Sequence, residues 1–293
     1  MKDSVIRNPY KRTDVFRCLH PSHSLFHHRV SPYHVLKRKR CFPQGCLYFD
    51  WHCSLMEKGS RCIHGYQYVG KNCKGCTYYL EEKYNFQPEC CLSPADYQAF
   101  LAETETFDTW LEEGEHKRFA CSGRIQSVKP LFELACSHQQ KQRLFKGYLL
   151  VFKRGYIGNQ LFDDFLYVRI SESQMARHRF ISRMKLEFTA EVRFDGRLVL
   201  FFPKSIEILT RGWGYHWTRS KALVALKTGT LLEHQSEQCL ACTWSLLMDV
   251  RDDESSESYR KLHCMKGVRQ PEVCSFAVFQ RVRKKMKKHS GVE

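Results

Sequence analysis

Leu186-Glu187-Phe188-Thr189-Ala190-Glu191-Val192-Arg193-Phe194-Asp195-Gly196 is the stretch on which the fold turns. Leu186, Phe188, Ala190, Val192 and Phe194 alternate with Glu187, Thr189, Glu191 and Arg193. Successive side chains of a strand point to opposite faces, so this period of two reads as a strand with one buried face. Asp195-Gly196 is a strong hairpin turn, and Arg197–Leu209 returns as the partner strand. Upstream, Phe119–Val128, Phe145–Tyr156 and Leu161–Ile170 read as three more strands, the last two joined by Ile157-Gly158-Asn159-Gln160. Ser171–Arg183, between the third strand and the hairpin, is polar with a helical look. The fold class is mainly β with some α.

Three strands, a helix and a hairpin, in that order over residues 116–210, resemble an OB-fold, a five-stranded barrel that binds oligonucleotides or oligosaccharides. The resemblance rests on strand order. On the third strand Phe162, Asp164, Leu166, Val168 and Ile170 share a mostly apolar face, expected in the core. Asp163, Phe165, Tyr167 and Arg169 share the other face, expected to point two aromatics and an arginine outward. On the second strand Tyr148, Phe152, Arg154 and Tyr156 share a face. Aromatic rings beside cations suit single-stranded nucleic acid, where stacking contributes roughly 1–3 kcal/mol per base. The alternative is that these rings cover a helix or another module, since aromatics favour strands in any case. Trp213, Tyr215 and Trp217 alternate between Arg211 and Arg219, as a stacking loop or as an anchor between the barrel and the second cysteine module.

Cysteine falls in two groups. Cys41, Cys46, Cys53, Cys62, Cys73, Cys76, Cys90 and Cys91 form the first; Cys239, Cys242, Cys264 and Cys274 form the second. Each contains one Cys-x-x-Cys pair, Cys73–Cys76 and Cys239–Cys242, a spacing that lets two thiolates converge on one ion. Four thiolates close a tetrahedral zinc shell, so the second group reads as a structural zinc site, with His263 able to replace a cysteine. In the first, Cys62, Cys73, Cys76 and Cys90 form one quartet. Cys41, Cys46 and Cys53 form a trio that takes Cys91, His52 or His64 as a fourth. A [4Fe-4S] cluster in the N-terminal module is the alternative to zinc, although the spacings match neither ferredoxin pattern. Disulfides are the competing use of fifteen cysteines. Residues 1–40 carry ten Lys/Arg and no apolar core of a secretory signal, so a reducing, cytoplasmic setting is expected.

The net charge is +16. Residues 1–40 end in Lys37-Arg38-Lys39-Arg40, and Arg281–Lys288 holds six positive charges and no acid. Basic ends attract polyanions through counterion release. Between them, Pro94–Glu115 has seven acids and no base, with Tyr97, Phe100, Leu101, Phe107, Trp110 and Leu111 at helical spacing. The expected organisation is a partly disordered basic arm (1–40), a Cys-rich metal module (41–92), an acidic amphipathic helix (93–115) and an OB-like barrel (116–210). An aromatic loop with a second Cys-rich zinc module (211–280) and a basic tail (281–293) complete it.

No phosphate-binding loop, Gly-x-Ser-x-Gly or His-Glu-x-x-His is found. Asp163, Asp164, Glu187 and Glu191 would hold magnesium only if the fold gathered them. The sequence therefore points to a metal-stabilised binder of single-stranded DNA or RNA without evident catalysis, and with no membrane span. The alternatives are an iron–sulfur enzyme or redox sensor acting on nucleic acid, and an assembly adaptor for protein partners.

Overall fold

The computed structural model describes residues 4–115, 117–136, 141–233, 236–252 and 257–275. Two compact units emerge, Pro9–Thr104 and Met1–Asn8 with Glu105–Glu293. Strand β1 (Ser4–Ile6) belongs to the larger. The Cys-rich segments are therefore parts of these units rather than separate modules flanking a barrel.

In the smaller unit, β2 (Phe16–Arg17), β3 (Arg29–Val30), β4 (Cys46–Cys53), helix α1 (Ser54–Glu57), β5 (Tyr79–Phe86) and β6 (Glu89–Cys90) precede helix α2 (Pro94–Gly114). Strands order as β3-β2-β6, and β4 pairs with β5. The arm expected to be partly disordered is folded from Ser4 onward. Val15, Phe16 and Val35 are fully buried, and Phe16 packs 5.1 Å from Phe42 and 6.3 Å from Tyr97 by ring centroid. Its prolines start short helical turns at Pro9 and Pro21, where a missing N–H costs nothing. The apolar residues there are too scattered to show a period.

Helix α2 begins as read: Ser93 Oγ accepts from Asp96 N at 3.2 Å, and Pro94 takes the first helical position. The boundary between the units falls within it, after Thr104. Its last turns belong to the larger unit, where Phe107 meets Phe194 and the Trp110 indole donates to Gln160 Oε1 at 2.6 Å.

The larger unit continues with β7 (Arg118–Cys136), β8 (Lys141–Ile157), β9 (Gln160–Phe162), β10 (Leu166–Ile170), α3 (Glu172–His178), β11 (Lys185–Phe194) and β12 (Leu198–Thr210). After these come α4 (Arg219–Thr228), β13 (Thr230–Leu231), α5 (Glu237–Ala241), β14 (Ser245–Asp252) and β15 (Glu257–Cys264). β7 pairs with β8 and with β11, β8 with β10, β10 with β12, and β12 with β11. Five strands thus return on themselves as a closed ring. Every contact in it is antiparallel except β10–β12, which is parallel. α3, capped by Ser171 and Gln174, bridges β10 and β11. Leu186, Phe188, Ala190 and Val192 are buried and their alternating partners are not, as the period of two requires. The third expected strand is split: β9 pairs in parallel with β1, and β10 alone enters the ring. Beyond the ring, the Leu131–Cys136 half of β7 takes β14 in parallel, and β15 and β13 complete the sheet. Among the described residues no helix is long and apolar enough to cross a membrane.

Candidate functional site

The second cysteine group is assembled by three local devices. Ser236 caps α5 by accepting from Cys239 N at 3.2 Å, and Cys242 N returns to Cys239 O at 3.2 Å, which makes the tight turn of the Cys-x-x-Cys. Cys264 ends β15, where its backbone faces Thr230 on one side and Ser245 on the other. Cys274 comes directly after the turn Pro271–Val273. Burial pushes the Cys239 and Cys242 thiols up, and the nearby Cys264 and Cys274 push both further in the same direction. All four thiols therefore share one electrostatic neighbourhood. Two sulfurs already accept backbone N–H groups at the same offset: Trp244 N to Cys242 Sγ and Lys266 N to Cys264 Sγ, each 3.4 Å. Such donors favour the charged sulfur of a metal thiolate.

Beneath the turn lies a residue that sequence reasoning missed. Lys129, on β7, is fully buried, and its ammonium donates to Cys239 O at 3.1 Å, to Cys242 O at 2.8 Å and to Ser245 Oγ. Burial lowers its pKa to about 8 against the opposing pull of Cys242 and Cys239. Ser127, two residues along the strand, donates to Leu240 O at 3.0 Å. A Ser-x-Lys inside an apolar strand was the only trace of this in the sequence.

In the first group, Cys53, Cys62, Cys73 and Cys76 line one cavity of about 10 Å³ together with Met56, His64 and Tyr66. That is room for about one water-sized body. Gly70 N donates to Cys73 Sγ at 3.5 Å. Cys53, rather than Cys90, lines this cavity with Cys62, Cys73 and Cys76. Cys41 instead belongs to the apolar core of the smaller unit, with Cys46 and Cys90 packed against it. Cys91 is exposed, and His52 is engaged by Asp50 at 3.4 Å and Glu57 at 3.0 Å. Among the described residues no three His, Cys, Asp or Glu side chains form a ready metal shell. The thiols are gathered but not drawn to a point.

The expected stacking platform is largely covered. Phe165 and Tyr167 are buried beneath Leu247, Leu262, Cys239 and Cys264. Tyr148 and Phe152 are 1% exposed and Trp217 is 0% exposed, so none of these rings offers a face to a base. The reason is β14 and β15, which add to β7 and cover the outer side of β8 and β10 with their own apolar residues. Arg197 lies 5.2 Å over the Tyr167 ring, and Asp249 holds both Arg197 (3.3 Å) and Arg260 (2.9 Å), tying β14 and β15 to the Asp195 turn. Tyr215 packs 5.1 Å from Trp217 and 4.8 Å from Trp244, which anchors the aromatic segment beside Cys242.

What stays accessible is different. Trp213 is 60% exposed with the Arg183 guanidinium 3.8 Å over its ring. Phe202 is exposed, and Arg193 lies 5.0 Å over Phe201 and 5.7 Å over Phe202, with Arg169 5.6 Å over Phe201. Tyr156 is partly exposed and Arg154 exposed. The acids are scattered: Asp163 pairs with Arg7 at 3.3 Å and Glu191 with Arg118 at 2.7 Å. The basic tail 281–293 lies outside the described residues.

No family model, no curated protein and no solved structure matches this chain.

Proposed function

We propose that this chain is a metal-stabilised, single-stranded nucleic-acid-binding protein built on an OB-like barrel. The observation that carries the reading is the closed five-strand ring in the order β7-β8-β10-β12-β11, with its one parallel contact between β10 and β12 and its helix between β10 and β11. The OB-fold arranges its strands in this order, and it serves oligonucleotides by backbone charge and stacking. Zinc held by Cys239, Cys242, Cys264 and Cys274 fixes β13, β14 and β15 against the ring, and zinc at Cys53, Cys62, Cys73 and Cys76 closes the loops between β4 and β5. These are structural roles, since four thiolates leave no open coordination position.

The covered outer face moves the contact surface away from Phe165 and Tyr167. Trp213 with Arg183, and Phe202 with Arg193, supply flat rings and cations that solvent reaches. A net charge of +16 supplies the long-range attraction. Fluorescence anisotropy with labelled single strands and duplexes of equal length, across a salt series, tests the reading. Tighter binding of single strands, weakening steadily with salt, is expected; absent or salt-insensitive binding sinks it.

A further inference from the structure

Cys18 stands outside both cysteine groups of the sequence, yet the fold brings it to one of them. β2 places Phe16 opposite Cys90 of β6. Residues two apart on a strand share a face, so Cys18 falls on the side of Cys90, at the diagonal spacing of roughly 7–8 Å between backbones. The strand direction holds to that point, because Cys18 N still donates to His28 O at 2.9 Å. Cys41 and Cys46 bracket a turn in which Gly45 adopts φ 93°, open to glycine at little cost. Burial pushes the Cys41 thiol up to about 11, and Cys46 and Cys18 lie close enough to add to that push. Cys18 and Cys41 belong to the buried core of the smaller unit, and Cys46 and Cys90 pack against that core. A buried cysteine alone is an ordinary small apolar residue. Four of them, from three chain segments, meet at one apolar core, gathered though not drawn into a ready shell.

We propose that Cys18, Cys41, Cys46 and Cys90 form a four-thiolate zinc centre in the core of the smaller unit. It is distinct from the cavity lined by Cys53, Cys62, Cys73 and Cys76. It shares with the proposed function only the use of cysteine for metal, and stands whether or not the chain binds nucleic acid. Each thiol gives its proton to solvent as the ion binds. The centre ties β2, the Cys41–Cys46 turn and β6 together.

The test uses the full chain, purified under anaerobic reducing conditions, with zinc and iron counted by mass spectrometry. Cys18→Ser is expected to lose about one zinc per chain, as a four-ligand structural site does when one ligand is removed. Cys91→Ser keeps the wild-type count. A folded Cys18→Ser with the wild-type zinc count overturns the centre. Should Cys18→Ser fail to fold, iodoacetamide mapping of the wild type decides. Cys18, Cys41, Cys46 and Cys90 are expected to become reactive together when a chelator strips the zinc. A Cys41–Cys46 disulfide, or labelling indifferent to the chelator, overturns the proposal, as does iron with acid-labile sulfide in place of zinc. Zinc retained by Cys53, Cys62, Cys73 and Cys76 while the Cys18 group stays empty would sink this centre alone and leave the proposed function standing.

Discussion

Lys129 Nζ donates to the main-chain oxygen of Cys242 at 2.8 Å from a position with no solvent exposure. A strand of the ring thus holds the Cys-x-x-Cys turn directly. The ammonium adds a charged donor to two carbonyls at the end of the turn, which Ser245 Oγ also approaches at 2.8 and 3.1 Å. Hydrogen bonds to charged groups contribute roughly 1.5–3 kcal/mol each. Lys129→Met keeps much of the volume but removes the charged donor from both carbonyls, and is expected to lower unfolding free energy by about 2–4 kcal/mol. Urea denaturation checks this; a midpoint equal to wild type refutes the coupling.

Phe165 belongs to the core, covered by β14 and β15. Phe165→Ala should then cost about 3–5 kcal/mol, as truncation of a buried phenylalanine does. A thermal melt is the check. A variant of full stability with weakened oligonucleotide binding would instead return Phe165 to the ligand surface.

Trp213 and Arg183 should behave in the opposite way. Trp213→Ala removes an exposed ring, so stability should hold within about 0.5 kcal/mol. Loss of one stacked base should weaken single-strand affinity by roughly 1–3 kcal/mol, about 5- to 150-fold. Anisotropy titration at fixed salt reads it, and unchanged affinity removes Trp213 from the interface.

Metal removal gives a prediction independent of nucleic acid. A chelator should lower the melting temperature of wild type, and Cys242→Ser should show a smaller further drop because its site is already broken. Differential scanning fluorimetry with and without chelator compares the two. Identical chelator shifts would exclude a zinc role for Cys242.

His23 supplies a pH dependence. Burial, aided by His20, His28 and Lys39, lowers its pKa from 6.5 to about 4. The folded state therefore prefers neutral His23, and between those values the unfolded chain binds more protons. Stability from this group is present above pH 6.5 and falls as pH drops towards about 4. His23→Gln should flatten the loss in melting temperature between about pH 7 and pH 5. An unaltered slope would refute the assignment.

Legibility in the sequence tracked the range of the interaction. β11 and the Asp195-Gly196 turn were readable because alternation and turn chemistry are local. So was α2, through Ser93, Pro94 and its spaced aromatics. The two Cys-x-x-Cys turns were visible by spacing alone. The partition of the first cysteine group was not. Cys53 faces Cys73 and Cys76 because β4 and β5 pair in a register joining Cys53 to Tyr79, and no spacing rule contains that register. The buried arm escaped notice because Val15, Phe16, Val30 and Val35 are isolated in a polar, basic segment whose charge suggested solvent.

The sequence by itself determined the mainly β class, the order of strands around the hairpin, the long acidic helix and the grouping of thiols near one another in the chain. Each rests on contacts within a few residues. Only the tertiary structure decided that β7 closes a ring with β8 and β11, that β14 and β15 cover Phe165 and Tyr167, and that Cys18 joins Cys41, Cys46 and Cys90. Those outcomes depend on which apolar surface each strand finds to bury against. A strand whose second face carries Tyr167 and Arg169, as in β10, has the same pattern whether that face meets solvent, a ligand or another strand.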